Sequence, residues 1–345
     1  MKRISQALGV AVSLYAGASA AEETIAVEVG DGLTVQLATD RPLKLAFFSE
    51  GTNNSAMTAS IEGAQAAAER LGWEIDIFDG RFDAVNQLNQ ITNALTRDYD
   101  AFIVKPLEGN IMCEPSSIMA AERNILVVNS TLPICGRSGM EGEDQYTPGI
   151  LTYIGGTQTP AAFREVLDRI AAEAPGPQTV AVLTGNDLNP ITLNFEAAFE
   201  DFLVDHPEWN VVAKARTDWS TPVAFQRAEP IVQANPDLTL FLSHYSNMTR
   251  GIVQALDAAG RRDVEVFDAG GTQWAADAVA NGRISFTTAL YLASNAAASV
   301  EAIAAAQRGE SVPRYIHNAG KLISNGTLVE FIDASNVGDY IAEAQ

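Results

Sequence analysis

Histidine and cysteine, which often carry catalysis or bind metals, are scarce: the 345-residue sequence has three histidines and two cysteines. No G-x-S-x-G motif places a serine nucleophile near a histidine and an acid, and neither cysteine has a histidine at the spacing of a zinc site. The segments GTNNS and AGGTQ lack the glycine spacing and the lysine of a phosphate-binding loop. An enzyme is therefore disfavoured and no cofactor or metal is expected, although the paired carboxylates of a glycosidase stay compatible with the sequence.

Basic residues are also few. The chain has 22 lysines and arginines against 43 aspartates and glutamates, which gives a net charge of −21. So acidic a chain repels the phosphates of nucleic acids and of anionic lipids, so neither is expected as a partner. Beyond the first twenty residues, no apolar run approaches the length of a transmembrane helix.

The first twenty residues have the pattern of a secretory signal peptide. Lys2 and Arg3 precede the mostly apolar segment 4–15, and Ala18-Ser19-Ala20 is a small-residue cleavage site. We therefore predict that residues 1–20 are removed and that the mature chain is exported to a periplasm of the Gram-negative type. No lipid anchor is expected, because no cysteine lies near the cleavage site.

The two cysteines, Cys113 and Cys135, are predicted to form a disulfide bond. In an oxidising compartment such a pair is more often bridged than free. The bridge would stabilise the fold by roughly 3 kcal/mol on the chain-entropy model. Two buried thiols are the alternative.

Short apolar runs alternate with segments of helical periodicity from Leu43 onward, and the pattern occurs in two successive halves. Helix ends are recognisable in it: Gly72 ends one helix, Asp83 begins another, and Thr159-Pro160 begins a third. Strands that alternate with helices predict parallel sheets with helices on both faces. The predicted fold class is α/β, with two doubly wound, Rossmann-like lobes and a ligand cleft where the carboxyl ends of their strands face one another.

The predicted domains follow from this pattern. After the signal peptide, residues 21–42 form an added β-ribbon, because apolar residues alternate there with polar ones. The first lobe comprises residues 43–155 and about 291–320, and the second comprises residues 156–290 and about 321–345. The last segments cross back between the lobes and form a multi-strand hinge.

The segments LKLAFFSEGTNNSAM, DAFIVKPLEGN and VANGRISFTTAL, in this order after a signal peptide, resemble the type I periplasmic sugar-binding proteins, the ribose-binding-protein-like group. The resemblance extends from Leu43 to about Pro313. It implies a monomer that captures a sugar or polyol by hinge closure and delivers it to the membrane permease of an ABC importer. A sensor that presents its closed form to a chemoreceptor or histidine kinase is the alternative output.

The resemblance also implies the ligand-binding positions, which are carried over one by one from a family that binds its ligands at the carboxyl ends of strands. They are Asn53, Asn54, Lys105, Asn129, Ser130, Asn194, Phe195, Trp219, His244, Tyr245 and Asp268. Amide, carboxylate, hydroxyl and imidazole groups can bind hydroxyls, and aromatic faces can cover C–H patches. Two alternatives remain open: that the asparagines of the first loop serve only the turn and the helix start, and that Lys105 pairs with Glu50 instead of a ligand.

The residues at several of these positions differ from those of the family. Ser55-Ala56-Met57 replaces an aromatic pair, Asn129-Ser130 replaces an Asp-Arg pair, and Phe195 replaces an arginine. Charged groups have thus become neutral or aromatic. We therefore expect a neutral ligand other than ribose: a polyol, an unusual sugar or a partly apolar small molecule.

Overall fold

The computed structural model describes residues 22–321 and 326–345. Its strands are β1 (Thr24–Glu28), β2 (Thr34–Ala38), β3 (Lys44–Ser49), β4 (Glu74–Asp79), β5 (Ala101–Val104), β6 (Leu126–Thr131), β7 (Thr152–Gly155), β8 (Gln178–Thr184), β9 (Trp209–Arg216), β10 (Leu240–Ser243), β11 (Glu265–Phe267), β12 (Phe286–Thr288), β13 (Tyr315–His317) and β14 (Phe331–Asp333). Its helices are α1 (Ser55–Leu71), α2 (Ala84–Ala94), α3 (Ile118–Ala121), α4 (Pro160–Glu173), α5 (Pro190–Asp205), α6 (Thr221–Ala234), α7 (Ser246–Ala258), α8 (Gln273–Ala280) and α9 (Leu292–Gln307).

The first lobe is built on a six-stranded sheet in the order β13-β7-β6-β5-β3-β4, in which all neighbours are parallel. Its central strands are buried along their length because they consist of apolar residues, as in Leu45–Phe48 of β3. Alanine-rich faces of α1 and α9 cover one side of this sheet, and α2 and α3 cover the other.

The second lobe has a four-stranded parallel sheet in the order β11-β10-β8-β9, accompanied by the antiparallel pair β12–β14. Helices α4 and α5 pack on one side, and α6, α7 and α8 pack on the other. Because β13 joins the first sheet although β12 and β14 accompany the second, the chain passes between the lobes repeatedly. The predicted α/β fold of two doubly wound lobes and a multi-strand hinge is confirmed, whereas the residue boundaries of the domains stay a prediction.

The ribbon β1–β2 lies at the end of the first lobe that faces away from the cleft. The hydroxyl of Tyr146 donates to the carbonyl of Val29 (2.6 Å), and the amide of Gln36 donates to Asn124 (3.1 Å). Tyr146 precedes β7 and Asn124 precedes β6, so both ribbon contacts lie at the amino ends of the sheet strands. The ribbon therefore packs at the amino ends of the sheet strands, opposite the end where ligands bind.

Cys113 and Cys135 form the predicted disulfide bond. Cys113 follows β5 and Cys135 follows β6, so the bridge joins two loops at the carboxyl end of the first sheet.

Replacing both cysteines by serine is expected to lower the free energy of unfolding by roughly 3 kcal/mol, because the 22-residue loop is then open in the unfolded chain. Urea unfolding followed by circular dichroism measures this change. A reductant should lower the stability of the wild-type protein but not that of the double variant. Equal stability of the two proteins would contradict the prediction.

The predicted signal peptide, residues 1–20, lies outside the described residues. Within the described part of the chain, the helices are all too short or too polar to cross a membrane.

Candidate functional site

A cavity of about 40 Å³ lies between the two lobes, at the carboxyl ends of both parallel sheets. The first lobe lines it with side chains that follow β3, β4 and β5: Glu50, Asn54, Ala56, Met57, Phe82, Lys105 and Leu107. The second lobe and the connecting segments line it with Gln158, Asn189, Ile191, Trp219, Tyr245, Leu290 and Leu292. The cavity thus occupies the place where doubly wound sheets bind their ligands.

Glu50 and Lys105 form an ion pair in the wall of this cavity. The Lys105 ammonium lies 3.3 Å from a Glu50 carboxylate oxygen, and the side chains of Lys105 and Glu50 are only 3% and 6% exposed. Burial raises the pKa of Glu50 and lowers that of Lys105, because low polarity disfavours both charges. The alternative in which Lys105 pairs with Glu50 is therefore present in the structure.

A hydrogen bond from the second lobe reaches this pair. Asn189 precedes the first turn of α5, where its side-chain oxygen accepts from the amide of Ile191 (2.9 Å). Its amide nitrogen donates to the other carboxylate oxygen of Glu50 (3.3 Å) and to the carbonyl of Leu107 (3.4 Å). Asn189 therefore connects the start of a second-lobe helix to the first lobe. With this contact the two lobes are closed on one another, and we call this the closed arrangement.

Trp219 lines the cavity in an unfavourable backbone conformation. Its φ is +68°, which is rare for a bulky residue other than glycine. The indole lies directly over Gly185, where a Cβ would overlap the ring, and its edge contacts Tyr245 with ring centroids 6.0 Å apart. Backbone strain of this kind is concentrated at binding sites.

Two buried polar atoms of the cavity lining have no hydrogen-bond partner within the described ranges 22–321 and 326–345. They are the side-chain oxygen of Gln158 and the hydroxyl oxygen of Tyr245, which lies beside the Ser55 side chain and the amide of Ala56 without a hydrogen bond of normal geometry to either. An unpaired buried polar group is costly. Both atoms are thus available to a bound molecule.

Of the eleven positions implied by the family resemblance, four line this cavity: Asn54, Lys105, Trp219 and Tyr245. Asn54 also caps α1, since its side-chain oxygen accepts from the amide of Met57 (2.9 Å). Asn53 is exposed beside the first turn and does not line the cavity. Ligand contact by any of the eleven stays a prediction.

Asp268 is buried in a network of its own lobe. Its carboxylate accepts from the hydroxyls of Ser246 (2.8 Å), Thr249 (2.6 Å) and Thr287 (2.5 Å), and from the amide of Gly270 (2.9 Å). These bonds occupy both carboxylate oxygens. In this closed arrangement Asp268 therefore holds β11, β12 and α7 together.

Asn129 and Ser130 are likewise buried, in β6, and lie outside the cavity lining. The Asn129 amide donates to the carbonyls of Val104 (3.1 Å) and Leu132 (2.7 Å). The Ser130 hydroxyl has a contact of 3.4 Å with the hydroxyl of Thr131. The hydrogen bonds of both side chains thus go to residues of the first lobe, to which Asn129 and Ser130 themselves belong.

Asn194, Phe195 and His244 lie beneath the cavity wall. The Asn194 amide donates to the carbonyl of Gln158 (2.8 Å). His244 is fully buried between Phe195 and Trp219, with ring centroids 5.0 and 4.9 Å away. These three side chains support the lining residues and do not form part of the lining.

The sequence reasoning missed most of the apolar lining, including Phe82, Ile191, Leu290 and Leu292. Leucine and isoleucine near helix starts have the pattern of core residues, so no local signal separates them from the core. Asn189 could have been found: an Asn-Pro pair after a buried strand is a helix start at the ligand-binding end of a parallel sheet.

His244 is expected to make stability depend on pH. Its Nε2 accepts from the amide of Gly185 (3.3 Å), and burial lowers its pKa from 6.5 to about 3. A lowered pKa gives stability that is complete above pH 6.5 and decreases as the pH falls towards 3. Between pH 6.5 and 5 we expect a loss of roughly 2 kcal/mol from this residue.

The measurement is urea unfolding at pH 7, 6 and 5 for the wild type and for His244→Phe, which keeps the aromatic packing. The variant should lose less stability on acidification than the wild type. Equal pH dependence in the two proteins would refute the assignment.

A family model described as a periplasmic binding protein domain matches residues 45–311 of this sequence. The chain belongs to this family. The match includes the strands and helices that carry the cavity lining of both lobes. Its members are binding proteins of ABC transporters rather than enzymes, so this periplasmic binding protein is not an enzyme.

Similar curated proteins include the D-apiose import binding protein of Actinobacillus succinogenes, which is 25% identical over 244 residues, 70% of this chain and 75% of that protein. The ribose import binding protein of Escherichia coli is 23% identical over 260 residues, 75% of this chain and 83% of that protein.

A similar solved structure is an ABC transporter solute-binding protein from Mycobacterium smegmatis with bound glycerol. It has a TM-score of 0.74 and 21% identity, and the match covers 88% of this chain and all of that one. This likeness shows the shared two-lobe fold.

Proposed function

We propose that this periplasmic binding protein captures a small, neutral, hydroxylated molecule, a sugar or polyol, and delivers it to the permease of an ABC importer. The observation that carries the proposal is a cavity built from both lobes at the carboxyl ends of their sheets, with Glu50 of one lobe bonded to Asn189 of the other. The relatives named for D-apiose and ribose import support the ligand class.

The mechanism is hinge closure. The ligand enters between separated lobes, and closure brings Tyr245 and Trp219 of the second lobe against the start of α1. Closure removes water from the polar groups of both lobes, so a bound ligand favours the closed state by the difference of its affinities for the two states. The permease then binds the surface that the two closed lobes form together, and the exported monomer carries ligand to it through the periplasm.

A thermal-shift screen of ligand-stripped protein against pentoses, hexoses, polyols and small acids tests this function. A ligand at about a thousand times its Kd stabilises the folded state by roughly 4 kcal/mol. We expect a rise in Tm of several degrees with at least one neutral hydroxylated compound, accompanied by a smaller radius of gyration in X-ray scattering. A shift only with acids, or no shift at all, would contradict the proposal.

A further inference from the structure

Apolar side chains make up most of the cavity wall, and a few polar groups stand among them. Charged groups come from the strand ends of the first lobe, where Glu50 follows β3 and Lys105 follows β5. Apolar groups come from both sides of the cleft: Met57, Phe82 and Leu107 follow strands of the first lobe, Ile191 lies in the first turn of α5, Leu290 follows β12, and Leu292 begins α9. A ligand between the lobes therefore meets hydrogen-bonding groups on some sides and hydrocarbon on others.

The charges of the cavity balance. Glu50 and Lys105 are the charged members of its described lining, and they neutralise each other at 3.3 Å. An anionic or cationic ligand would leave one uncompensated charge in a site that excludes water, which is strongly unfavourable. A hydroxyl group suits the pair, because it can accept from the ammonium and donate to the carboxylate.

The number of polar groups is small. The ammonium of Lys105 has three hydrogens that it can donate. Within the described residues its polar contacts are the Glu50 carboxylate and the sulfur of Met57 at 3.7 Å. The unpartnered oxygens of Tyr245 and Gln158 add one site each. These groups can satisfy a few hydroxyls, whereas further hydroxyls directed at Ile191 and the two leucines would lose hydrogen bonds to water without replacement.

We propose that the ligand of this cavity is amphipathic and neutral: a deoxy, methyl-bearing or otherwise partly alkylated sugar or polyol rather than a fully hydroxylated one. Its hydroxyls bind the Glu50–Lys105 pair and Tyr245, and its alkyl portion lies against Ile191, Leu290 and Leu292. The inference rests on the proposed function and specifies its ligand class.

Matched ligand pairs test the inference. Isothermal titration of ligand-stripped protein would compare D-galactose with 6-deoxy-D-galactose, D-ribose with 5-deoxy-D-ribose, and erythritol with butane-2,3-diol. In at least one pair the deoxygenated member should bind ten- to a hundredfold more tightly, the range expected when a hydrocarbon wall rejects an added hydroxyl. Binding in which the hydroxylated member of each pair is equal or tighter would overturn this inference but leave the proposed function intact. No binding in any pair, together with no neutral ligand in the thermal-shift screen, would contradict both.

A variant pair then tests the wall. Ile191→Thr places a hydroxyl in the apolar lining and should reduce the preference for the deoxygenated compound at least fivefold. Ile231→Thr makes the same change at a partly buried position of the second lobe outside the cavity lining, and should leave the preference unchanged. An unchanged preference in Ile191→Thr would overturn the assignment of the alkyl portion to this wall.

Discussion

Replacing Trp219 by alanine is expected to weaken ligand binding at least a hundredfold, equivalent to roughly 3 kcal/mol, because large aromatic side chains at the centre of a binding site dominate its affinity. The indole lines the cavity from the second lobe and contacts both His244 and Tyr245. Its loss removes the aromatic face that would cover C–H groups of a ligand and lets water into the closed site. Isothermal titration with the best ligand of the screen measures the change.

The control for this variant is Trp209→Ala. Trp209 is buried in the same lobe, packs on Phe202 with ring centroids 4.9 Å apart, and lies outside the cavity lining. Both variants should lose several kcal/mol of stability, as truncation of buried tryptophan generally does. When each variant is titrated about 20 °C below its own Tm, where it is folded, only Trp219→Ala should show weaker ligand binding. Equal losses of affinity would mean that Trp219 acts through the stability of the lobe.

Local chemistry explains why the fold could be predicted. Gly72 ends α1 with a left-handed φ of 69°, the side chain of Asp83 accepts from the first amides of α2, and Thr159 does the same for α4. Each of these residues acts within a few positions of itself. Buried parallel strands such as β3 are also recognisable as short apolar runs, so strand order along the chain and the α/β class follow from neighbouring residues alone.

The site depends on residues far apart in the chain, which sequence patterns do not connect. Asp268 follows a strand end as a ligand-binding residue would, but hydroxyls 19 and 22 positions away occupy its carboxylate. Glu50 and Asn189 meet across 139 positions. The Glu50–Lys105 pairing was foreseeable as an alternative, because both residues follow buried strands, and the structure shows that these strands, β3 and β5, are neighbours in the sheet.

Replacing Lys105 by methionine is expected to disfavour the closed arrangement by about 3–5 kcal/mol, the usual effect of leaving one member of a buried ion pair without its partner. Glu50 is 5% exposed in the closed structure, and its other hydrogen bond, from Asn189, is neutral and 3.3 Å long. Separation of the lobes would hydrate the carboxylate. We therefore expect a larger radius of gyration in X-ray scattering and at least a hundredfold weaker ligand binding.

The double variant Glu50→Gln/Lys105→Met tests whether the lobes open in Lys105→Met because Glu50 has lost its partner or because the lysine itself is missing. It removes both charges and keeps the approximate volumes, so closure should return, since neutral replacements for buried ion pairs are often harmless. Ligand affinity should recover only in part, because the hydroxyls of the ligand have lost two charged partners. Lys214→Met removes an exposed lysine of the second lobe and controls for the change in net charge that Lys105→Met alone introduces. If the double variant stays as open as Lys105→Met, the buried charge of Glu50 is not what holds the lobes apart, and the account of closure given by this pair is wrong.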